Sequence, residues 1–233
     1  MRAAFLVTCE HGGNRIPARY RTLFDGQRAL LDSHRGFDPG ALALAKALAR
    51  AFDAPLVAAT VSRLLVDLNR SPGHRQFFSS ATRTLPAALR ARIVAEHYRP
   101  HRTEVERLVL RSLARGRRVI HIAAHSFTPV LDGDVRTADV GLLYDPRRRP
   151  ESALCARWKE ALAARAPALR VRRNYPYAGQ GDGLTSYLRT RFGPADYVGV
   201  ELEVNQRIVA AGAPRFPALR RALIETLRSA AAR

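Results

Sequence analysis

Three apolar runs, each ending abruptly in residues able to do chemistry, constrain this 233-residue chain more than any other feature. The first, Phe5-Leu-Val-Thr-Cys-Glu-His-Gly-Gly-Asn-Arg-Ile-Pro17, stops at Glu10 and His11 and passes into two glycines. The second, Arg118-Val-Ile-His-Ile-Ala-Ala-His-Ser-Phe-Thr-Pro129, delivers His125 and Ser126 before Pro129 ends it. The third, Tyr197-Val-Gly-Val-Glu-Leu-Glu-Val-Asn205, alternates with period two, so Glu201, Glu203 and Asn205 share one face and Leu202 and Val204 the other. Buried parallel strands read as continuous apolar runs, and in open α/β sheets ligands gather beyond the carboxyl ends of such strands. Three strand ends therefore offer two histidines and one or two carboxylates to a common site.

The intervening segments supply helices. Residues 38–52 predict a helix with Asp38 as N-cap and Pro39 at the first helical position. Pro55 to Ala59 and Leu64 to Asp67 suit further strands, and Pro86 to Arg115 carries a long helical pattern broken or kinked near Pro100. A strand at Val140 to Tyr144, a helix from Pro150 to Ala166, a strand at Val171 to Tyr175 and a helix at Thr185 to Arg191 follow. A last helix over 215–231 comes after the Glu201 strand. Strands alternating with helices imply one α/β domain over 1–233, a mixed, mostly parallel sheet flanked by helices on both faces. No linker, low-complexity tract or solenoid repeat interrupts it.

Composition narrows the partners. Cys9 and Cys155 are too few for a disulfide framework and lack the spacing of a structural zinc site, so they read as reduced, structural thiols of a cytoplasmic protein. The opening Met1-Arg-Ala-Ala-Phe-Leu-Val-Thr is too short for a signal-peptide core, and no window approaches the ~20 apolar residues of a membrane span. The net charge of +19 invites a nucleic-acid reading. Yet Lys occurs only at 46 and 159, and the arginines are scattered among alanines, as a coding bias would leave them. The one dense run, Arg147-Arg-Arg149 between two prolines, reads as a solvated loop. No nucleic acid and no membrane is expected as partner, whereas small anionic substrates suit such a field.

A catalytic zinc needs three protein ligands and an open position, and His11 and His125 are the natural first two. His34, His74, His97, His101 and His121 read as structural, although His34 lies in a loop before the Asp38 helix and could face the site. A hydrolytic site also needs a base, which Glu201 or Glu203 can supply. Arg70, after Asp67-Leu-Asn, and Arg136 offer planar guanidinium groups suited to binding a carboxylate.

The phrases Cys9-Glu-His-Gly-Gly-Asn-Arg-Ile-Pro17, Val61-Ser-Arg-Leu-Leu-Val-Asp-Leu-Asn-Arg70, His125-Ser-Phe-Thr-Pro129 with Gly133 and Arg136, Asp139-Val-Gly-Leu-Leu-Tyr144, Asn174-Tyr-Pro-Tyr177 and Glu201-Leu-Glu-Val-Asn-Gln206 resemble the N-formylglutamate amidohydrolase family. The resemblance implies a fold similar to the zinc carboxypeptidases and the aspartoacylase group, and one zinc ion per chain. It implies hydrolysis of an N-acyl, most simply N-formyl, amino acid such as N-formylglutamate to formate and glutamate, at the end of histidine breakdown. Within it Glu201 would be the base and Glu203 its reserve, while Asn69, Arg70, Arg136 and Arg63 would bind substrate carboxylates. The chain departs from the His-x-x-Glu turn of the carboxypeptidases, reading His11-Gly-Gly-Asn14, so the third metal ligand is open between Asn14, Glu10 and Asp38. Another N-acyl amino acid or small peptide would suit the same chemistry. A basic binding module and a cysteine hydrolase using Cys9 are the competing classes, and a monomer or homodimer is expected.

Overall fold

The three apolar runs become neighbouring strands at the centre of one sheet. The computed structural model describes residues 3–232, leaving Met1 and Arg2 of the opening segment, and Arg233, outside. Along the chain lie β1 (Ala3–Cys9), the one-turn α1 (Arg28–Leu31), α2 (Ala41–Ala51), β2 (Leu56–Ala58), α3 (Ala87–Ile93), α4 (Arg99–Leu113) and β3 (Arg118–Phe127). A small hairpin, β4 (Val130–Leu131) and β5 (Asp134–Val135), precedes β6 (Val140–Leu143), α5 (Arg149–Arg165), β7 (Val171–Arg173), α6 (Leu184–Arg191), β8 (Tyr197–Asn205), α7 (Gln206–Ala210) and α8 (Arg215–Ala231).

The six-stranded sheet runs in the order β2-β1-β3-β8-β6-β7. β2, β1, β3 and β8 are parallel, β6 is antiparallel to β8, and β7 is parallel to β6, so the sheet is mixed and mostly parallel. The register aligns Ala123 with Glu201 and His125 with Glu203, which sets the second and third runs abreast at their carboxyl ends.

The faces of the sheet are chemically unlike. On one, Val7, Cys9, Ile120, Ile122, Val200 and Leu202 pack with Leu44 and Leu48 of α2, Trp158 of α5 and Leu223 of α8 in a continuous apolar cluster. Each such fully buried side chain contributes about 1.5–3 kcal/mol. On the other, Leu6, Val119 and Tyr197 pack under Val105 and Val109 of α4 and Leu184 and Leu188 of α6. Farther along that same face the strands turn polar, with Thr8, Glu10, His121, His125 and Glu203 all buried. Thr8 and Tyr197 hydrogen-bond both ring nitrogens of His121, at 2.8 and 2.7 Å, and burial pushes its pKa down to about 4, as for a satisfied core histidine.

Three local expectations need correction. Asp38 does not cap α2; Gly40, with φ of +79°, begins that helix, and the Asp38 carboxylate turns to two histidines instead. A β-carbon at Gly40 would also come within 2.7 Å of Val209. Leu64 to Asp67 is a buried turn rather than a strand, because Ser62 draws the backbone N–H groups of Leu64 and Leu65 onto itself. Its leucines pack with Phe77 and Ile93 in a separate cluster. The long helical pattern passes from α3 to α4 through a π turn, Val94–Tyr98, which sits just ahead of Pro100 and accommodates its missing N–H without breaking the helix. Among the described residues no helix is long and apolar enough to cross a membrane.

One buried carboxylate ties the far side of β8 in place. Glu151, in the first turn of α5 and fully buried, accepts from the backbone N–H of Asp145 (2.9 Å) and of Gly199 (3.1 Å) and from Nε of Arg189 (3.1 Å). Removing it would strand the buried Arg189 charge. Glu151→Ala is therefore expected to lower stability by about 3–5 kcal/mol, measured by urea unfolding.

Candidate active site

The carboxyl ends of β1, β3 and β8 open onto one cavity of about 1070 Å³. Its floor holds His11 just past β1, His125 near the end of β3, Asp38 from the loop before α2, and Glu201 and Glu203 of β8. Both imidazoles turn Nδ1 toward one oxygen: Asp38 Oδ2 lies 3.3 Å from His11 and 2.9 Å from His125. A donor atom from each of the three lies within 4.8 Å of the other two, as a metal ion requires.

The opposite ring nitrogens are also backed by carboxylates. His11 Nε2 meets Asp67 Oδ1 at 2.7 Å. His125 Nε2 lies 3.0 Å from Glu10 Oε2, though off line, so both atoms lack a formal hydrogen bond. The other oxygen of Glu10 is 3.4 Å from Nε2 of His101 on α4. A carboxylate behind each imidazole fixes its tautomer and frees Nδ1 for a metal.

The charge count points the same way. Glu10, Asp38 and Asp67 are buried beside a single guanidinium, Arg63, which reaches Asp67 Oδ2 through Nη2 at 2.6 Å and lies 3.5 Å from Asp38 Oδ1. Burial raises all three carboxyl pKa values. The imidazoles, and Arg63 at Asp67, overcome it and hold each below the ordinary range. Burial likewise lowers the two histidines, but the surrounding carboxylates raise both above the ordinary value, His125 the further. Arg63 alone cannot neutralise three buried anions, and the positive charge still wanting is of the kind that protons on the imidazoles or a divalent cation can supply. The donor set of two imidazoles and a carboxylate fits such a metal.

The position of Asn14 corrects the sequence reading. Gly12 and Gly13 press so close to Ala59 and Thr60 that β-carbons would come within 2.8 and 2.7 Å of their carbonyl oxygens. The chain is thereby led away from the cavity, and the Asn14 amide donates to Asp32 at 2.7 Å, outside the metal-ligand group that Asp38 completes. Glu10 stands behind His125 rather than beside Asp38. Arg63 is likewise turned inward onto Asp67 and Asp38, and Arg136 does not line the cavity. Arg136 instead donates to the hydroxyl of Tyr177 at 2.9 Å, with its guanidinium 4.9 Å from that ring, and Tyr177 is the lining residue.

Asn69 and Arg70 do line the cavity. Asn69 Oδ1 accepts from the backbone N–H of Leu184 at 2.7 Å, which leaves its NH2 group to donate. Arg70 Nη1 is held by the carbonyl of Asp182 at 2.6 Å, and its Nε is buried without a partner. Glu201 Oε1 accepts from Thr185 at 2.7 Å beside Gly183, where a β-carbon would stand a tight 3.0 Å from that oxygen. Glu203 is buried, with Oε2 unpartnered. Burial pushes the Glu203 carboxyl up to about 7, against His125 and assisted by Asp38 and Glu201. His34 lines the cavity, and Ser126 is engaged with the carbonyl of Pro39 at 2.7 Å. Cys9 belongs to the apolar cluster on the opposite face, and burial, with Glu10 and Asp38, keeps its thiol protonated, which argues against a nucleophile. Asp67, His101 and Thr185 complete the site unannounced by the sequence; only Asp67, next to Asn69 and Arg70, lay within a recognisable phrase.

Two outcomes follow from these electrostatics. Glu10→Gln keeps the shape but removes the charge behind His125, and is expected to weaken divalent-metal affinity by about 10–100-fold in a chelator competition. Glu203 ionises near its ordinary 4.5 when unfolded and near 7 when folded, so the fold loses stability as pH rises through that window. In chelated protein, Glu203→Gln should therefore stabilise by about 1–3 kcal/mol more at pH 8 than at pH 4, read from urea unfolding.

A model of the N-formylglutamate amidohydrolase family matches residues 3–210. Among solved structures, the gene product Atu2144 of Agrobacterium tumefaciens is 32% identical with a TM-score of 0.84, over 99% of this chain and 91% of that one. An N-formylglutamate amidohydrolase from Ralstonia eutropha is 22% identical with a TM-score of 0.72, over 99% and 94%. A metallo-carboxypeptidase from Burkholderia cenocepacia, at 16% identity and a TM-score of 0.39 over 99% and 57%, is too distant to argue from. No curated protein matches.

Proposed function

Because the chain belongs to the N-formylglutamate amidohydrolase family, we propose that it hydrolyses the amide of an N-acyl amino acid, most simply N-formylglutamate, using one zinc ion. The observation that carries this reading is the pair of buried imidazoles presenting Nδ1 to a single oxygen of Asp38, each backed by a further carboxylate. His11, Asp38 and His125 would hold the metal. Zinc there would supply Lewis acidity for the acyl carbonyl and for the attacking water.

The remaining work falls to the chain. Glu201, one oxygen fixed by Thr185, takes the proton of the attacking water on its other oxygen. As the C–N bond breaks, it returns that proton to the departing amine nitrogen, so that a carboxylic acid and a free amino acid leave. Arg70, through the guanidinium N–H groups not held by Asp182, and Asn69, through its NH2, receive the substrate's carboxylates. Glu203, buried beside Glu201 with one oxygen unpartnered, is the reserve for the same proton transfer. Arg63 and Arg136 are positioning residues, the first for Asp67 and Asp38, the second for Tyr177. With N-formylglutamate as substrate, the products are formate and glutamate, a step suited to the end of histidine breakdown.

The test couples formate release to metal content. Chelation is expected to abolish release and zinc to restore it, while Glu201→Gln lowers kcat by about 10²–10⁴ with its zinc retained. Wild-type turnover in that variant would sink the assignment of the base, and chelator-insensitive turnover would sink the metal.

A further inference from the structure

We infer that the cavity is built for a substrate longer than one amino acid: an N-acylated peptide of glutamyl type, bearing several carboxylates. The inference deepens the proposed function and rests on it for the acyl end of the substrate, but the features that carry it lie at the mouth rather than the floor.

Clefts of about 300–1,000 Å³ enclose drug-sized ligands. At about 1070 Å³ this one exceeds that range, whereas N-formylglutamate is far smaller than a drug. The deep part of the cavity is mostly acidic and its mouth mostly basic: Asp38, Asp67 and Glu203 are buried, with the half-buried Arg63 among them, whereas Arg35, Arg75 and Arg83 line it from exposed positions against a single exposed carboxylate, Asp132. These three come from separate stretches of chain, one beside His34 and two beyond Arg70, yet they open onto one mouth. Among the described residues no carboxylate lies within 4.0 Å of any of them. Asn69 and Arg70, farther in, suffice for the carboxylates of a single glutamate, so the outer arginines face space that such a substrate leaves empty.

Another part of the lining has the opposite character. Phe127, Val130, Leu131 and Tyr177 line the cavity, and Val130 and Tyr177 remain 49% and 46% exposed, among the few large apolar side chains left in water. A mouth with both guanidinium and apolar surfaces suits a chain of methylene stems ending in carboxylates. Glutamyl residues have that form, with two methylenes to lie against Tyr177 and Val130 and a carboxylate for an arginine.

Calorimetric titration of the purified, zinc-loaded protein with glutamate and with triglutamate, neither N-formylated, tests this apart from formate release, with chromatography after each titration to verify that the peptide is intact. Wild type should bind triglutamate at least about tenfold more tightly than glutamate. Arg75→Ala with Arg83→Ala should remove about that whole advantage while changing glutamate affinity less than about twofold. Arg111→Ala with Arg115→Ala, the same charge loss in and just after the last turn of α4, should change neither. Equal affinity of wild type for the two ligands, an unaltered advantage in the mouth variant, or an equal loss in the remote variant would overturn the inference. Formate release from N-formylglutamate, followed in the same proteins, judges the hydrolase reading separately. Its absence alongside preferential triglutamate binding would strike that reading and leave the mouth's specificity standing.

Discussion

Three carboxylates and two imidazoles buried against one guanidinium set the terms for everything around them. Ionised carboxylates out of water are tolerable only when matched by charge and hydrogen bonds. Here the matching is arranged in a fixed order: Arg63 to Asp67, Asp67 to His11, His11 and His125 to Asp38, and Glu10 behind His125. Asp67 and Glu10, which stand behind the two imidazoles, thus help to set which ring nitrogens face Asp38. Arg63 is accordingly turned toward this cluster, with Nε and Nη2 committed to Asp67 and Nη1 lying 3.5 Å from Asp38.

The sheet makes that arrangement possible by dividing its labour between two faces. The apolar face, packed on α2, α5 and α8, supplies burial without polar obligations. The other carries a graded series, apolar under α4 and α6 and then increasingly polar toward the carboxyl ends. Within this series His121 is satisfied locally by Thr8 and Tyr197, whereas His125, four residues closer to the strand end, is left to the site. Period-two alternation thus assigns the two histidines of one strand to the same face, and position along the strand decides which is structural and which functional.

Much of this was legible because strands advertise themselves through continuous apolar runs. The span Tyr197–Asn205 and its two-sided pattern follow directly from the residues, and the ends of two other runs singled out His11 and His125, which the structure sets at the floor of the cavity. What the sequence concealed are the choices between local and tertiary partners. Asp38 before a proline is a sound helix-start signal, yet two buried imidazoles outcompete the helix's own N–H groups for its carboxylate. Asn14 sits at the spacing of a ligand, but two glycines that must pass close to a neighbouring segment turn it outward. Among 39 basic residues, nothing local separates Arg70, whose Nε is free, from Arg63 and Arg136, which are engaged. His101 is a helix residue like any other until α4 is laid over Glu10.

The strand order holds a consequence for how such a molecule is made. β8 lies between β3 and β6, so the last strand along the chain is a central one. Until it emerges during synthesis, β3 and β6 have no common neighbour, and the ten-residue edge of β3 stands open to pairing with other chains. The nascent chain can assemble β2, β1 and β3 early, with His11, Asp38 and His125 already near one another. Glu201 and Glu203 arrive only as the sheet closes. The step that seals the exposed edge is therefore the same step that brings in both carboxylates of β8, and a chain arrested before it would be sticky and without them.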